Sequence, residues 1–478
     1  MAPRFHCERG SSHNASPPGR RCQSPVRGAP RAVAAGLAAC YPDAVNVHGT
    51  TGASQLPDAS REQRRLTVLA VYGWHEFWSM GEGRGAPSFF LSITSFAKHG
   101  HDMHVLMPGR PGTPRLEDYH GVTLHRFRTA VDFMRNPGRS RIAHHARMFL
   151  SYVYWFVRVM PTGLSLAGRL KPDVIFGMGE LGATAGYFIS KLRGIPCVTR
   201  FFGIGLFLDE IRANPLKRLL RYREITAFKA PSDYMIVHND GSGGDELAKM
   251  VGADMDRLMF LLDGVDKHLF VNTTPDRSGA TALGVPAGNR VVLSVSRLYE
   301  EKHVDRLIRA APAVLAERPD VSFLVVGEGE ERESLEELAA ELGVGDNVAF
   351  AGAVSHDDLP GVYSASDVFV TVADRTNAFN TLYESMLSAL PVVALGTGRT
   401  ADFVEDGRTG VLLPPDRLGE LPRAILDILG DEARAKALGD AARVTMDERF
   451  PTIEERQATE VEIVERAVSE RAARAGSR

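Results

Sequence analysis

The sequence is poor in cysteine, has no long apolar segment and shows no excess of either charge. Its four cysteines include no CxxC pair and no metal-ligand spacing, which argues against structural zinc and indicates a reducing compartment. Lys and Arg number 56 against 59 Asp and Glu, so the overall positive charge typical of nucleic-acid-binding proteins is lacking. No run reaches the roughly 18 apolar residues of a transmembrane helix. These absences predict a soluble, cytoplasmic protein without a nucleic-acid partner.

The first 62 residues differ in composition from the rest of the chain. They are rich in Pro, Arg, Ser, Gly and Ala and show no hydrophobic periodicity. Such a segment cannot bury enough apolar surface to offset the entropy lost on ordering. We therefore predict a disordered leader over residues 1–62.

From Arg65 onward, short β-branched runs alternate with amphipathic segments of helical length, the pattern of β-α units around a parallel sheet. The pattern occurs twice, with seven predicted strands in the first half and five in the second. A turn-rich stretch without periodicity, residues 272–289, separates the halves. The sequence predicts an α/β protein with domains over residues 63–271 and 290–448, and a final helix within 449–478 that crosses back to the first domain.

Two basic residues follow the first strand of the second half. Arg297 and Lys302 lie in the segment SRLYEEK, between that strand and a predicted helix. An Arg and a Lys five residues apart can converge on one diphosphate, because Arg supplies a planar fork of donors and Lys a point charge. The alternative is a pair of solvated loop charges.

The next strand of this half ends in the segment Gly327-Glu328-Gly329. Glycine at a strand end lets a ligand approach the backbone closely, although turn geometry explains the same residues equally well. We predict that Gly327 and Gly329 lie on the rim of the donor site.

A third element is the segment NAFNTLYESM, residues 377–386. If Asn380 opens a helix, the free backbone N–H groups of Thr381 and Leu382 can receive phosphate oxygens, aided by the helix dipole. Glu384 lies one turn further on the same face, where its carboxylate can accept hydrogen bonds from two ribose hydroxyls. The alternative is an ordinary capped helix with a glutamate near its start.

Together, the segments SRLYEEK, LVVGEGEERESLEELAAELGV, NVAFAGAV and NTLYESMLSALPVVA resemble the donor domain of retaining family 4 glycosyltransferases of the GT-B fold. The first half is similar in layout only. The resemblance implies two Rossmann-like domains facing each other across a cleft and a helical C-terminus. It also implies transfer of a sugar, with retention, from a nucleotide-diphosphate sugar to a carbohydrate, lipid-linked or small-molecule acceptor.

The resemblance further assigns roles to individual residues. It implies that Arg297 and Lys302 are the catalytic cations on the donor diphosphate, that Glu384 binds the ribose, and that the amides around Thr381 and Leu382 bind the distal phosphate. With these cations stabilising the leaving group, it implies a reaction that needs no metal and no other cofactor.

The sequence departs from the family pattern at several positions. Thr376 stands where the family usually has a glutamate near the transferred sugar, and Phe202 stands near the place of a usual histidine. Gly83 and Gly85 both match the glycine that should let a helix approach the donor phosphates. The loss at Thr376 keeps a degenerate nucleotide-sugar-binding scaffold open as an alternative, and a sugar-nucleotide epimerase of the same layout is a second.

Aromatic residues suggest where an acceptor binds. Trp74 and His75 follow the opening strand, and with Phe202 they are candidates for acceptor contacts, since aromatic rings with polar edges suit sugar faces; a packed core loop is the alternative. Residues 141–160 place apolar side chains at helical spacing after a basic start. This segment is either a core helix or a surface that contacts an anionic membrane near a lipid-linked acceptor.

Overall fold

The computed structural model describes residues 64–74, 88–110, 112–128, 141–203, 208, 212, 214–271, 277–376 and 379–476. These residues lie in one compact unit, within residues 45–478. They form two sheets with helices packed on both faces, followed by a helical C-terminal region. Of the helices in these ranges, none is both long and apolar enough to span a membrane.

The first sheet has eight strands in the order β3-β4-β2-β1-β5-β6-β7-β8. Strands β5 and β6 are buried along their whole length and β1 at all but its first residue, because helices cover both faces of the sheet. The strands are β1 (Thr67–Tyr72), β2 (Asp102–Gly109), β3 (Leu116–Tyr119), β4 (Val122–Arg128), β5 (Val174–Met178), β6 (Cys197–Phe201), β7 (Tyr234–His238) and β8 (Leu258–Leu261).

Seven helices lie in the described ranges before residue 272, and the last of them packs against the second domain, whose core contains its Phe270. They are α1 (Ser88–Lys98), α2 (Arg141–Leu170), α3 (Gly179–Arg193), α4 (Pro215–Leu220), α5 (Tyr222–Lys229), α6 (Gly244–Val251) and α7 (Lys267–Val271). Helices α2 and α3 share one apolar core with the sheet, and α1 contributes to another. Helix α2 continues through Pro161, whose exposed position lets water satisfy the carbonyl group that loses its partner.

The second sheet has six parallel strands in the order β11-β10-β9-β12-β13-β14. The strands are β9 (Arg290–Val295), β10 (Val321–Val326), β11 (Val348–Gly352), β12 (Val368–Thr371), β13 (Val392–Leu395) and β14 (Val411–Leu413). The helices of this part are α8 (Ser278–Ala282), α9 (Val304–Glu317), α10 (Arg332–Glu341), α11 (Leu359–Ser364), α12 (Asn380–Leu387), α13 (Leu421–Gly430) and α14 (Glu432–Arg449).

The last helix, α15 (Ile453–Gly476), packs against α1 and the first sheet. Its Val461, Ile463, Val464 and Ala467 join the apolar core beneath β1, β2 and β5. The chain therefore returns to the first domain after the second domain is complete.

The structure adds elements that the sequence did not predict. Strands β3 and β14 were not predicted. Strand β3 has four residues, of which every second one is exposed, and β14 has three, so both are too short to show a clear periodicity in the sequence. The stretch expected as a linker, residues 272–289, contains helix α8 in its described part. Ala280 and Val285 are buried in the core of the second domain, so residues 278–289 pack as part of that domain.

Candidate functional site

The loop after β9 carries the first predicted cation. Strand β9 ends at Val295, and Arg297 lies exposed at the carboxyl edge of the second sheet. Its guanidinium carbon lies 5.2 Å from the centre of the Tyr299 ring. Carboxyl edges of parallel strands are where open α/β sheets bind ligands, so the fold presents Arg297 where the sequence predicted a ligand.

Gly327 and Gly329 pack the neighbouring loop against this one. A Cβ atom at Gly327 would lie 1.8 Å from the Ser296 carbonyl oxygen, and one at Gly329 would lie 2.0 Å from the Leu298 carbonyl oxygen. Gly327 also has φ of 137°, a conformation that other residues rarely adopt. The two glycines thus permit the contact that positions the Arg297 loop. Their contact with the donor stays a prediction.

Lys302 is half-buried beside other cations. Its Nζ lies 3.1 Å from the centroid of the Phe379 ring, just before α12. Burial, together with the positive charges of Arg297 and Arg375, lowers the pKa of Lys302 to about 8. The side chain therefore lies where positive charge is poorly solvated, and a bound anion would offset the free-energy cost of keeping Lys302 protonated.

Two charged residues near Lys302 were missed by the sequence analysis. Arg375 follows β12 and contributes a third positive charge, and Asp240 follows β7 of the first sheet and contributes a negative one. Burial raises the pKa of Asp240, whose carboxylate accepts a hydrogen bond from the amide of Ser242 at 3.0 Å. Only the tertiary fold brings these separate strand ends together, so no local motif could have indicated them.

Helix α12 begins at Asn380, as predicted, with Phe379 as the residue before it. The expectation for Leu382 is wrong, because its amide donates to the Phe379 carbonyl oxygen at 2.9 Å and is not free for a phosphate. The first amides of a helix have no intrahelical acceptor. The candidate anion donors are therefore the amides of Asn380 and Thr381.

Glu384 is buried and has two side-chain partners. Its Oε2 accepts a hydrogen bond from the Tyr363 hydroxyl at 3.0 Å, and its Oε1 lies 3.2 Å from Nε2 of His356. The hydrogen bond to Glu384 raises the pKa of His356 above its ordinary value, while burial and the same negative charge raise that of Tyr363. Both partners are therefore donors, and they orient the carboxylate. Neither residue was singled out by its local sequence.

A cavity joins this end of the second sheet to the first domain. Asn380, Glu384 and His356 line it on one side. The other side is formed by the first domain and the last helix, with Arg200, Asp263, Gly264, Arg456, Gln457 and Glu460 among the lining residues. The two halves of the chain therefore share the space next to Glu384.

A buried ion network forms the floor of that shared space. Oε1 of Glu460 pairs with Nε of Arg200 and, at 2.9 Å, with Nη2 of Arg456. His238 donates from Nδ1 to Asp263 at 2.8 Å, which leaves its Nε2 to accept from Arg200 Nη2 at 2.7 Å. Burial alone would raise the pKa of Glu460, but the two guanidinium groups hold it well below its usual range.

The other predicted positions lie in different surroundings. Phe202 stacks on the Arg200 guanidinium at 4.2 Å, and Trp74 is exposed just after β1. Thr376 is buried, and neighbouring Asp374 pairs with His303 at 2.6 Å. His75, Gly83 and Gly85 lie outside the described residues.

Within the described ranges, no three His, Cys, Asp or Glu side chains come together as a group that could hold a metal ion.

The two domains contact each other directly beside the cleft. Nη1 of Arg399, in the second domain, lies 3.1 Å from Oδ1 of Asp245, at the start of α6.

Comparisons with known proteins place the second domain in context. A family model described as glycosyl transferases group 1 matches residues 280–445. The chain is 32% identical over 194 residues to a GDP-mannose-dependent alpha-(1-6)-phosphatidylinositol monomannoside mannosyltransferase of Mycolicibacterium smegmatis, covering 39% of this chain and 50% of the relative. It is 31% identical over 235 residues to a D-inositol 3-phosphate glycosyltransferase of Nocardia farcinica, covering 47% of this chain and 51% of the relative. The matches span about half the length of these relatives.

The structural comparison covers most of the chain. Sucrose-phosphate synthase from Thermosynechococcus elongatus superposes with a TM-score of 0.66 at 20% identity, covering 84% of this chain and 100% of that one. At this identity the likeness shows the fold alone. The predicted GT-B fold, with two Rossmann-like domains and a helical C-terminus, is confirmed.

Proposed function

The chain carries a domain of the group 1 glycosyl transferases in residues 280–445, and we propose that the protein transfers a sugar from a nucleotide-diphosphate sugar to a carbohydrate, lipid-linked or small-molecule acceptor. The proposal places the reaction in the cytoplasm. The observation that carries it is the group of Arg297, Lys302 and Arg375 beside the start of α12, at the carboxyl edge of the second sheet.

In this proposal the three cations hold the donor diphosphate. Burial and two neighbouring positive charges lower the pKa of Lys302 to about 8, so a bound anion would favour its protonated form. A diphosphate would offset that repulsion and accept hydrogen bonds from the first amides of α12. The cations then stabilise the charge that grows on the leaving group, without a metal ion.

Glu384 is proposed to bind the ribose. A carboxylate has about four lone-pair positions, and Tyr363 and His356 each occupy one. The remaining positions can accept from the two ribose hydroxyls, and the protein partners keep the carboxylate in a single orientation. The ribose and the diphosphate would then lie one helical turn apart along α12.

We propose retention by reaction on one face of the sugar. The bond between the anomeric carbon and the diphosphate oxygen breaks, and the acceptor oxygen forms its bond to the same face of that carbon. The acceptor's proton passes to the departing diphosphate oxygen. Contacts between the domains, such as Arg399 with Asp245, would exclude water from the cleft and limit hydrolysis of the donor.

The proposal is tested by incubating the full chain with a panel of nucleotide sugars and glycan, lipid-linked and small-molecule acceptors in the presence of EDTA. We expect a glycosylated product with retained anomeric configuration, formed only when donor and acceptor are both present. If an epimerised sugar forms without acceptor, the protein is a sugar-nucleotide epimerase. If nucleotide binds without turnover, the protein is a degenerate nucleotide-sugar-binding scaffold. Activity lost in EDTA and restored by magnesium or manganese would refute the metal-independent mechanism.

We expect Glu384→Gln to weaken binding of the nucleoside diphosphate by about 1–3 kcal/mol, because the neutral amide accepts weaker hydrogen bonds from the ribose hydroxyls. Isothermal titration calorimetry measures the affinity. Glu333→Gln, at an exposed position in the first turn of α10, is the matched control and should bind like the parent. If Glu384→Gln keeps its melting temperature and also binds like the parent, the ribose assignment is wrong.

A further inference from the structure

Helix α2 buries one face and leaves an apolar stripe exposed on the other. Trp155 and Val159 are fully buried against the first sheet. Phe149, Val153 and Val157, spaced four residues apart, remain 50%, 42% and 63% exposed, and Leu150, one turn before Val153, is 66% exposed, as expected for one side of a helix. One face of α2 therefore packs in the core, as the first of the two interpretations predicted, while the other face is exposed.

The exposed apolar surface extends to neighbouring helices. Phe188 and Leu192 are exposed on α3, and Leu216 and Leu219 on α4. We call these residues, together with the exposed stripe of α2, the apolar face. An exposed patch that spans several elements marks an interaction surface, whereas single exposed apolar residues are ordinary.

Ring contacts join the part of the surface formed by α2, α3 and α5. The ring of Phe149 lies 5.6 Å from that of Tyr222 in α5, and Tyr222 lies 5.5 Å from Tyr152 in α2. Further along α2, Phe156 lies 5.7 Å from Phe188 in α3. Helices α2, α3 and α5 therefore present one connected aromatic and aliphatic surface.

This surface is also strongly basic. Helices α2, α3, α4 and α5 contain ten Lys or Arg residues and only two Asp or Glu, in a chain whose net charge is −3. Even with both acidic residues ionised, these helices keep an excess of eight positive charges. Arg147, Lys191 and Arg218 are exposed at the margins of the apolar face.

We propose that the apolar face binds the surface of an anionic lipid bilayer. Aromatic and aliphatic side chains would enter the boundary between headgroups and acyl chains, and the surrounding Lys and Arg would contact anionic headgroups. The excess of positive charge opposes a second copy of the same face, which would carry equal charge, and matches a negatively charged surface. This inference goes beyond the proposed sugar transfer and can be tested without donor or acceptor.

The test is sedimentation of the full chain with vesicles of phosphatidylcholine containing about 30% phosphatidylglycerol. We expect binding to these vesicles that weakens as salt is raised, and much weaker binding to pure phosphatidylcholine. The double variant Leu150→Ser/Val157→Ser changes two side chains that are 66% and 63% exposed on α2. It should lower the partition coefficient by at least about tenfold.

The matched control is Leu116→Ser/Val444→Ser, which changes residues 62% and 55% exposed on β3 and α14, away from the apolar face. It should bind vesicles like the parent, and melting temperatures should stay close in all three proteins. The proposal is overturned if the parent does not bind anionic vesicles. It is also overturned if Leu116→Ser/Val444→Ser loses as much vesicle binding as Leu150→Ser/Val157→Ser. A parent dimer that Leu150→Ser/Val157→Ser dissociates, with no vesicle binding, would assign the face to a second copy.

Discussion

Arg297→Ala is expected to lower kcat for sugar transfer by about 10²–10³-fold, the usual effect of removing one donor that stabilises transition-state charge. The affinity for intact donor should change by only a few fold, because negative charge on the diphosphate grows as the sugar leaves. Lys302 and Arg375 remain to hold the ground-state diphosphate. Product formation gives the turnover, and calorimetry gives the affinity.

The matched control is Arg309→Ala, on α9, where an exposed arginine lies 3.6 Å from Asp305 in an i, i+4 pair. Surface pairs of this kind contribute little, so both kcat and affinity should match the parent. Arg297→Lys keeps the charge without the planar fork of donors and should give intermediate turnover. Equal losses of donor affinity and turnover in Arg297→Ala would show that Arg297 serves binding alone.

Glu460→Gln is expected to reduce the free energy of unfolding by about 3–5 kcal/mol, because it removes the carboxylate charge with which two buried guanidinium groups pair directly. Glu460 is only 1% exposed, and Arg200 and Arg456 both pair with it. Urea denaturation followed by circular dichroism measures the loss. Glu462→Gln, at an exposed position on the same helix, should stay within about 0.5 kcal/mol of the parent.

The same variant has a pH signature. The folded-state pKa of Glu460 lies well below its ordinary value of 4.5, so its ionised form stabilises the fold fully above about pH 4.5. That contribution is lost as pH falls toward the folded-state pKa. Unfolding measured between pH 7 and pH 3 should show a shallower acid limb in Glu460→Gln than in the parent. Identical stability curves would show that the network contributes no net stability.

The buried network around Glu460 borders the space beside Glu384. Glu460 and Glu384 line the same cavity, one from the last helix and one from the second domain. The buried network fixes the carboxyl ends of β6 and β7 against α15. Its loss should therefore disturb the first-domain wall of the cleft as well as lower the stability of the fold.

The proximity of several residues of the proposed donor site could be predicted because its signals are local. Arg297 and Lys302 lie five residues apart in one loop, and Asn380 and Glu384 lie on one helical turn, so spacing alone brings each pair together. His356 and Tyr363 could not be predicted, because they reach Glu384 from a different part of the chain. The sequence also did not show that the Leu382 amide donates a hydrogen bond to the Phe379 carbonyl oxygen, because this bond depends on the exact residue at which the helix begins.

The sequence by itself determined the α/β class and the repetition of β-α units, because both depend on periodicity within a few dozen residues, and its motifs carried the resemblance to a glycosyltransferase domain. Only the tertiary structure decided which strand ends meet. It brings Asp240 and Arg375 beside Lys302 and encloses Glu460 between Arg200 and Arg456. It also leaves one side of α2 uncovered. Burial and charge pairing between distant segments depend on how the sheets and helices pack, and no local pattern of residues encodes that packing.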